Sequence, residues 1–407
     1  MGLPALAPTE LVSTEPAVSS SRIAIENRPT FAIVSQISKR IPALDGLRGV
    51  AILLVLLRHS VAGTETNSRF WSAVLEPLRL TWSGVDLFFV LSGFLIGGIL
   101  LDARYSPKYF QTFYLRRTFR ILPVYYIFLL LYFARHLPFH FLSGALGNTS
   151  PLSIPFFSFV TFTHNFWMVS FGWFGAWGIA PTWSLAIEEQ FYVTVPFLVR
   201  KLTVRSLYIV LGFMIVGAPI LRAVLPHIMQ HGAFANYVLM PCRADALSMG
   251  VLAALLYRSP KFKEWLRRRT WILYSITVGA FAVIVFLTFF AWDQYAPPMA
   301  IWGLSCLGVF YACILLAVVC GLNGTLERVL RFGPLMKLGT IAYCTYLVHA
   351  PLMQAARALL RVHSHMSPAA GWSLGGVLGI VMAVLVASLS WELLEQRFIA
   401  YGHRFNY

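Results

Sequence analysis

Apolar residues occur along this chain in ten long runs that are separated by short polar stretches. Most runs approach the ~20 residues that an α-helix needs to cross the hydrocarbon core of a bilayer. The runs occupy residues 43–62, 83–101, 121–135, 184–199, 206–224, 243–257, 271–291, 299–320, 338–356 and 372–393. This pattern predicts an all-α fold, a polytopic transmembrane helical bundle of about ten spans.

The segments outside these runs differ in composition from the membrane part. Residues 1–40 are rich in Ser, Thr, Pro and Glu and lack the continuous apolar stretch of a signal peptide, which predicts a flexible cytoplasmic N-terminal tail. Residues 41–396 form the expected membrane domain, and residues 397–407 a short cytoplasmic C-terminal tail. Residues 150–180 are rich in Phe and Trp but are interrupted by Gly and Pro, so we expect an interfacial or re-entrant segment instead of an eleventh span.

The composition argues against a soluble protein. Of the 407 residues, 58% are hydrophobic and only 12% are charged, whereas soluble domains carry roughly 25% charged residues. The net charge of +16 does not indicate a nucleic-acid-binding protein, because the basic residues lie between apolar runs and form no basic stripe on a polar domain. The five cysteines form no ligand-spaced cluster and no disulfide framework, so we expect no metal site.

Lysine and arginine are distributed asymmetrically between alternate loops. When the N-terminus is placed inside, the inside segments hold most of the basic residues, as is typical of cytoplasmic loops. The few arginines left outside or near span ends are Arg69, Arg79, Arg135, Arg222, Arg357 and Arg361. We therefore expect an even number of spans, with both termini in the cytoplasm, in a plasma or inner membrane.

Ionisable residues inside a span are candidates for function, because each is costly unless it is paired or hydrated. The first span contains Arg48 and His59, which lie ~16 Å apart along a helix. Asp86 lies near the same end of the antiparallel second span, where its carboxylate can orient the His59 imidazole. In the alternative interpretation, Asp86 caps a helix start or binds Trp82 or Ser83.

Basic residues cluster before the third span. Arg116, Arg117 and Arg120 precede Pro123, and Arg117 and Arg120 share a helical face at spacing i, i+3. Two guanidinium groups on one face can bind phosphate groups bidentately. The alternative, anchoring by positive charge at the cytoplasmic boundary, explains Arg116 fully and stays open for the other two.

Further polar residues lie in the later spans. Glu188 and Tyr192 share a helical face at spacing i, i+4, and Glu189 adjoins them at the membrane boundary. These carboxylates need either a hydroxyl-rich ligand or a buried network of hydrogen bonds between helices. Arg243 opens the sixth span, where it can pair with such a carboxylate, and His349 lies in the middle of a span as a packing residue or a functional one.

Glycines cluster in the second span, at Gly84, Gly93, Gly97 and Gly98. The sequence contains no Walker or Rossmann glycine pattern that would give them a role in nucleotide binding. Small residues in a span let two helices approach closely, so we favour close helix packing as their purpose.

Six short motifs occur in order between about residue 40 and residue 395. They are residues 41–49 leading to His59, then 84–94, 115–123, 183–192, 243–247 and 346–349. Together they resemble the acyltransferase-3 family of integral-membrane acyltransferases, which O-acylate sugars and other extracytoplasmic acceptors. Any single motif is unspecific, but the ordered set is specific and covers nearly the whole membrane part.

The resemblance implies roles for several of the residues above. The family pattern of an arginine and a histidine separated by ten residues falls on Arg48 and His59, and its Arg-x-x-Arg pattern falls on Arg117 and Arg120. The resemblance implies that His59 is the catalytic histidine. It also implies that the arginines bind the acyl donor, acetyl-CoA or another acyl-CoA.

We add the other polar residues of the spans to this candidate site. Asp86 and Glu188 are candidate catalytic residues beside the histidine, and the candidate acceptor-binding residues are Glu189, Tyr192, Arg243 and His349. Two positions depart from the family pattern, since Arg397 stands in place of a proline and Ala342 in place of a serine. The chain ends at Tyr407 without an esterase-like domain, so we expect a stand-alone form.

The activity implied by the resemblance is O-acyl transfer, with acetyl as the expected acyl group. The acyl group would move from cytoplasmic acyl-CoA to a hydroxyl of a carbohydrate, a lipid-linked glycan or a glycosylated small molecule on the extracytoplasmic side. His59 would act as a general base or accept the acyl group itself, and the sequence leaves both open. The alternative is a multi-pass transporter or flippase for a polar or glycosylated substrate, which also needs charged residues at mid-membrane depth.

Overall fold

A computed structural model describes residues 41–61, 80–134, 154–291, 295–363 and 368–407, together with the isolated positions Gly2 and Leu78 and without the side chains of 361–370. Residues Ile41–Tyr407 form one compact unit. The described residues are helical and contain no strand, which confirms the all-α prediction. The predicted N-terminal tail, 1–40, lies outside the described residues except for Gly2.

The first half of the bundle contains nine helices among the described residues. They are α1 (Pro42–Val61), α2 (Gly84–Asp102), α3 (Tyr109–Ala134), α4 (Phe156–Val160), α5 (His164–Phe171), α6 (Trp183–Lys201), α7 (Val204–Ile228), α8 (Gly232–Val238) and α9 (Met240–Arg258). Short 3₁₀ turns at Leu80–Ser83 and Ala180–Thr182 lead into α2 and α6.

The second half contains eight further helices within the described ranges. They are α10 (Pro260–Arg268), α11 (Thr270–Ala291), α12 (Leu304–Val319), α13 (Gly324–Leu330), α14 (Gly333–Thr340), α15 (Ala342–His363), α16 (Pro368–Ser390) and α17 (Gln396–Gly402). Single π-helical turns at Met299–Gly303 and Trp391–Glu395 precede α12 and α17.

Seven of the described helical segments are long and apolar enough to cross a membrane. They are Leu80–Asp102, Tyr109–Ala134, Val204–Ile228, Gly232–Arg258, Thr270–Phe290, Met299–Val319 and Gly371–Gly402. The other three predicted spans correspond to α1, α6 and α15, which have 20, 19 and 22 residues and therefore sufficient length. These three helices carry most of the polar candidate residues and are not among the seven apolar segments. The protein has the helices of a membrane protein, while ten spans and cytoplasmic termini stay predictions.

Two predicted helix boundaries differ from the structure. The third run was expected at 121–135, but α3 begins at Tyr109, so the arginine cluster lies within a helix. Arginine is a good helix former, and its charge interrupts the apolar pattern without interrupting the helix. The ninth run, 338–356, is divided, because α14 ends at Thr340 and α15 begins at Ala342.

The residues at the chain's C-terminal end pack against α3. Arg116 Nε donates to the Phe405 carbonyl oxygen at 2.8 Å, and Thr112 Oγ1 donates to that of Asn406 at 2.9 Å. The Phe119 ring contacts the rings of Tyr401 and Phe405. The residues predicted as a short tail, 397–407, therefore belong to the packed bundle, and their cytoplasmic location stays a prediction.

The helix continues through the position where the related family has a proline. Glu395 ends a π-helical turn, and Gln396–Gly402 follow it as α17 without a break. Proline in a helix interior removes a hydrogen bond and clashes with the preceding turn. Arg397 is compatible with the helix, and α16, the π-helical turn and α17 form one continuous helical segment.

Glycines bring α2 and α9 into close contact. A Cβ atom on Gly93 would lie 2.0 Å from the Leu247 carbonyl oxygen, and one on Gly250 would lie 2.2 Å from that of Val90. Both distances are far below van der Waals contact. The interpretation of the glycine cluster as a helix-packing surface is therefore confirmed, and it explains how two largely buried helices form the centre of the bundle.

Glycines also hold α1 in place at the end that carries Arg48. A Cβ atom on Gly339 would lie 1.8 Å from the Asp45 carbonyl oxygen, and one on Gly46 would lie 1.9 Å from that of Leu330. Helices α2, α13, α14, α15 and α16 all contact α1. Its polar residues are therefore enclosed by other helices, which is the condition for an ionisable group at membrane depth.

We predict that Gly250→Ala lowers the stability of the protein by about 1–3 kcal/mol, because its Cβ overpacks the crossing of α2 and α9. The measurement is thermal unfolding in detergent. Gly279→Ala on α11 is the matched control, since a Cβ there has no neighbour within 4 Å. Alanine improves helix propensity at an open site, so this variant should be at least as stable as the unmodified protein. Equal stability of the two variants would contradict the prediction.

Candidate active site

A cavity of about 150 Å³ opens between α1, α2, α3, α6, α14 and α15. Its polar lining residues are Arg48, Ser92, Arg117, Arg120, Ser184, Glu188, Tyr192, Thr340, Tyr343 and Tyr346. The structure thus brings together five of the candidate residues from three separate helices, α1, α3 and α6. Its apolar wall comes mainly from α2 and includes Phe88 and Phe89.

Three arginines give the cavity an excess of positive charge. Arg48 is paired, since its Nη1 lies 2.9 Å from Asp45 Oδ1. The Arg117 guanidinium lies over the Tyr192 ring at 4.8 Å. Within the described part of the chain, neither Arg117 nor Arg120 forms an ion pair with a carboxylate. Their shared face is confirmed, and their donor groups are available to an anion in the cavity.

The positive field extends beyond the cavity to the end of the chain. His403 follows α17, outside the helices that could span a membrane. Burial, followed by the nearby charges of Arg116 and Arg120, lowers the pKa of its imidazole below the usual value. An imidazolium is disfavoured there first because burial removes water from the charge, and second because the two arginines already supply positive charge.

Helix α6 contributes a hydrogen-bonded hydroxyl and carboxylate to the cavity wall. The Tyr192 hydroxyl donates to Glu188 Oε2 at 3.2 Å and also hydrogen-bonds Ser92 Oγ. The predicted i, i+4 face is therefore confirmed. Glu189 does not line the cavity, its Oε1 is buried without a hydrogen-bond partner, and it interacts electrostatically with Arg117.

His59 lies outside the cavity lining, against a second histidine. Its Nδ1 is 2.9 Å from the Val55 carbonyl oxygen, and Nδ1 of His349 is 2.6 Å from that of Tyr346. A carbonyl oxygen can only accept, so Nδ1 is the protonated nitrogen in each neutral ring and Nε2 carries the free electron pair. The two ring centroids are 4.8 Å apart, a contact that the sequence did not predict.

One tyrosine connects the cavity with the histidine pair. Tyr346 lines the cavity, its hydroxyl lies 2.6 Å from Ser184 Oγ, and its ring centroid is 5.6 Å from that of His349. Arg48 and His59 occupy different ends of α1, separated by ~16 Å. The site therefore has an arginine-rich part and an imidazole part along one helix.

The sequence of the chain matches one known family. A family model described as an acyltransferase domain matches residues 41–392, which include the arginine-rich cavity and both histidines. The chain belongs to this acyltransferase family. The matched region begins one residue before α1 and ends within the π-helical turn that follows α16.

Curated relatives of this acyltransferase cover most of its length. It is 27% identical over 401 residues to a putative peptidoglycan O-acetyltransferase, YrhL, of Bacillus subtilis (91% of this chain, 56% of the relative). It is 26% identical over 376 residues to the peptidoglycan O-acetyltransferase OatA of Listeria monocytogenes (88% and 55%) and 25% identical over 382 residues to the O-acetyltransferase OatA of Staphylococcus aureus (87% and 56%). The chain spans slightly more than half the length of these relatives. No solved structure matches it.

Asp86 does not pair with the histidine in this acyltransferase. Its Oδ1 lies 2.5 Å from Arg243 Nη2, with both side chains 1% exposed, whereas His59 Nδ1 is occupied by the Val55 carbonyl oxygen. The expected contact between Asp86 and His59 is therefore corrected. A permanently charged guanidinium needs a counter-charge in an apolar interior more than a neutral imidazole does. Neither member of the ion pair lines the cavity, so Arg243 is not placed to contact a ligand there.

A second buried ion pair was missed. Arg222 Nη2 lies 2.8 Å from Asp245 Oδ2, and Ser305 Oγ bonds the same oxygen at 2.7 Å. The signal was present in the sequence, because Arg222 falls inside the apolar run 206–224. In the count of basic residues, however, Arg222 serves only as an arginine near a span end that helps to orient the spans. Among the described residues no group of three His, Cys, Asp or Glu side chains could hold a metal ion.

We predict that Arg243→Gln destabilises the protein by about 3–5 kcal/mol, because it leaves the Asp86 carboxylate buried without a counter-charge. The double variant Asp86→Leu/Arg243→Met should recover most of this loss, since apolar residues of similar size replace a buried pair at little cost. Thermal unfolding in detergent measures both.

The control for this pair is Arg268→Gln, which removes an exposed i, i+4 ion pair with Glu264 on α10. It should change stability by less than about 1 kcal/mol. If Arg243→Gln unfolds at the same temperature as the unmodified protein, the ion pair between Asp86 and Arg243 does not contribute to stability.

Proposed function

We propose that this acyltransferase is an O-acetyltransferase that moves an acetyl group from acetyl-CoA to a hydroxyl of a carbohydrate, with His59 as the general base. One observation carries the proposal, namely that α1 lines the arginine-rich cavity with Arg48 and carries His59, which contacts His349 of α15, towards its other end. The relatives are named as peptidoglycan O-acetyltransferases, which supports acetyl as the transferred group and a carbohydrate as the acceptor.

The arginine-rich cavity is the donor end of the proposed site. Acetyl-CoA carries several phosphate charges, and guanidinium groups bind phosphate bidentately. Arg117 and Arg120 supply two such groups, and Arg48 a third that Asp45 partly neutralises. The ~16 Å between Arg48 and His59 suits the extended pantetheine arm, which would place the thioester near the imidazole. The donor would enter from the cytoplasm.

The imidazole pair is the acceptor end. His59 Nε2 takes the proton of an acceptor hydroxyl as its oxygen attacks the thioester carbonyl carbon. The carbon–sulfur bond breaks, the thiolate of CoA leaves, and the imidazolium returns the proton to it. The tautomer argument supports this role, since the carbonyl of Val55 holds Nδ1–H and leaves Nε2 as the base.

The location completes the proposal. The protein would cross a plasma or inner membrane about ten times, and a hydroxyl of a carbohydrate, a lipid-linked glycan or a glycosylated small molecule would approach from the extracytoplasmic side. Helices α1 and α6 would then be spans whose polar residues line the path between the two compartments. Enclosure of α1 by five neighbouring helices supports this placement.

We predict that His59→Ala lowers kcat about 100–10,000-fold, the usual contribution of a general base. The measurement is CoA release from acetyl-CoA by detergent-solubilised protein in the presence of an N-acetylglucosamine oligosaccharide. Transfer needs no sealed compartment, so activity in detergent also excludes a transporter as the explanation. His227→Ala, at the exposed end of α7, is the matched control and should keep normal turnover. Wild-type turnover of His59→Ala would eliminate the proposed base.

We predict that Arg117→Gln and Arg120→Gln each weaken CoA binding by about tenfold to a hundredfold, because a hydrogen bond to a charged group contributes about 1.5–3 kcal/mol. Isothermal titration with CoA measures the effect. Arg205→Gln removes an exposed arginine of α7 and serves as the control, with unchanged affinity expected. Unchanged CoA affinity of both cavity variants would remove these arginines from the donor site.

A further inference from the structure

Arg357 is a buried arginine that contacts the end of the helix carrying His59. It lies on α15 and is only 5% exposed. Its Nη2 donates to the carbonyl oxygens of His59 at 2.9 Å and Ser60 at 3.0 Å. Both carbonyls belong to the last turn of α1, where a helix leaves its carbonyl groups without intrahelical partners.

Two tryptophans enclose the Arg357 guanidinium. It lies 4.0 Å from the centroid of the Trp372 ring and 5.6 Å from that of Trp177. The Trp177 ring in turn meets the His59 ring edge-on, with centroids 5.9 Å apart. The guanidinium and the imidazole therefore share a neighbour as well as a backbone contact.

Glycines of α16 leave this junction little freedom. A Cβ atom on Gly375 would lie 2.6 Å from Arg357 Cγ, and one on Gly376 would lie 2.9 Å from the Ser60 carbonyl oxygen. Helices α15 and α16 pack along each other, and both contact α1. The end of α1 is thus held by a side chain that is itself held on two sides.

The charge of Arg357 suits this position. The C-terminal end of a helix carries a partial negative charge, and a cation there is stabilising, most of all when the site is partly buried. A planar guanidinium can bridge two neighbouring carbonyls while stacking on an indole, which a lysine ammonium cannot reproduce. Arginine is therefore the residue that fits the junction best.

We infer that Arg357 is a positioning residue for His59, an inference that rests on the proposed function of His59 as the base. Arg357 fixes the backbone of His59, the Val55 carbonyl fixes its Nδ1, and His349 packs against its ring. These three contacts hold His59 Nε2 in one orientation. A catalytic group displaced by about 1 Å can lose about a hundredfold in rate, so a loosened helix end lowers catalysis without touching the donor site.

The test compares Arg357→Gln and Arg357→Lys in the acetyl-transfer assay, with kcat and the KM for acetyl-CoA measured separately on folded, monodisperse protein. We expect Arg357→Gln to lower kcat about a hundredfold, with the KM for acetyl-CoA within about twofold of normal because the arginine-rich cavity is intact. The kcat of Arg357→Lys should lie between those of Arg357→Gln and the unmodified protein, about tenfold below the latter, since lysine keeps the charge and loses the bridging geometry.

Arg258→Gln is the matched control. Arg258 also donates from a half-buried guanidinium to helix carbonyls, those of Gly98 and Ala254. Gly98 lies about 21 Å along α2 from Gly84, the residue that packs on α1. Its loss should lower thermal stability and leave kcat unchanged, which separates a structural role from a positioning role.

The outcomes distinguish the inference from the proposed function. Wild-type kcat in folded Arg357→Gln, together with an inactive His59→Ala, overturns the inference alone. An active His59→Ala overturns the proposed function and the inference with it. Should Arg357→Gln not fold, Arg357→Lys decides, because a normal kcat there overturns the positioning role and a reduced kcat at normal KM supports it.

Discussion

A charged side chain inside an apolar helical bundle is stable only where the bundle supplies a counter-charge or hydrogen-bond partners. Asp86 with Arg243 and Asp245 with Arg222 satisfy this requirement as ion pairs that cross between helices. Arg357 satisfies it in part with the carbonyl groups of a helix end. These contacts fix α1, α2, α7, α9 and α15 relative to their neighbours, and the remainder of the site depends on that fixed frame.

The same constraint separates the structural charges from the functional ones. Arg222 and Arg243 are fully buried and paired with carboxylates, and neither lines the cavity, so neither is accessible to a ligand there. Arg117 and Arg120 line a cavity and form no ion pair within the described residues, although Glu188 interacts electrostatically with both, so their donor groups stay available to solvent or to a bound anion. The bundle therefore keeps this positive charge where six helices leave a space, which is where the proposed phosphate-bearing donor would bind.

Local periodicity was sufficient for the helices and for residues that share a face. The first run, 43–62, became α1 at Pro42–Val61, and Arg117 with Arg120, like Glu188 with Tyr192, meet in the cavity as their spacing requires. Local periodicity does not predict contacts between helices that are far apart in the sequence. The pairing of Asp86 with Arg243 and the contact of His59 with His349 join residues 157 and 290 positions apart, and no spacing rule encodes which helices are neighbours.

Placing Arg48 and His59 on one helix has a mechanical consequence. Their separation is set by the rise of α1 and does not change when α1 moves as a body, whereas Arg117 and Arg120 belong to α3, across the cavity. The distance from the α3 arginines to the His59 imidazole therefore depends on the position of α1 relative to α3. Gly46 and Gly339 hold one end of α1 and Arg357 holds the other, so the two parts of the site stay in register only while both ends are held.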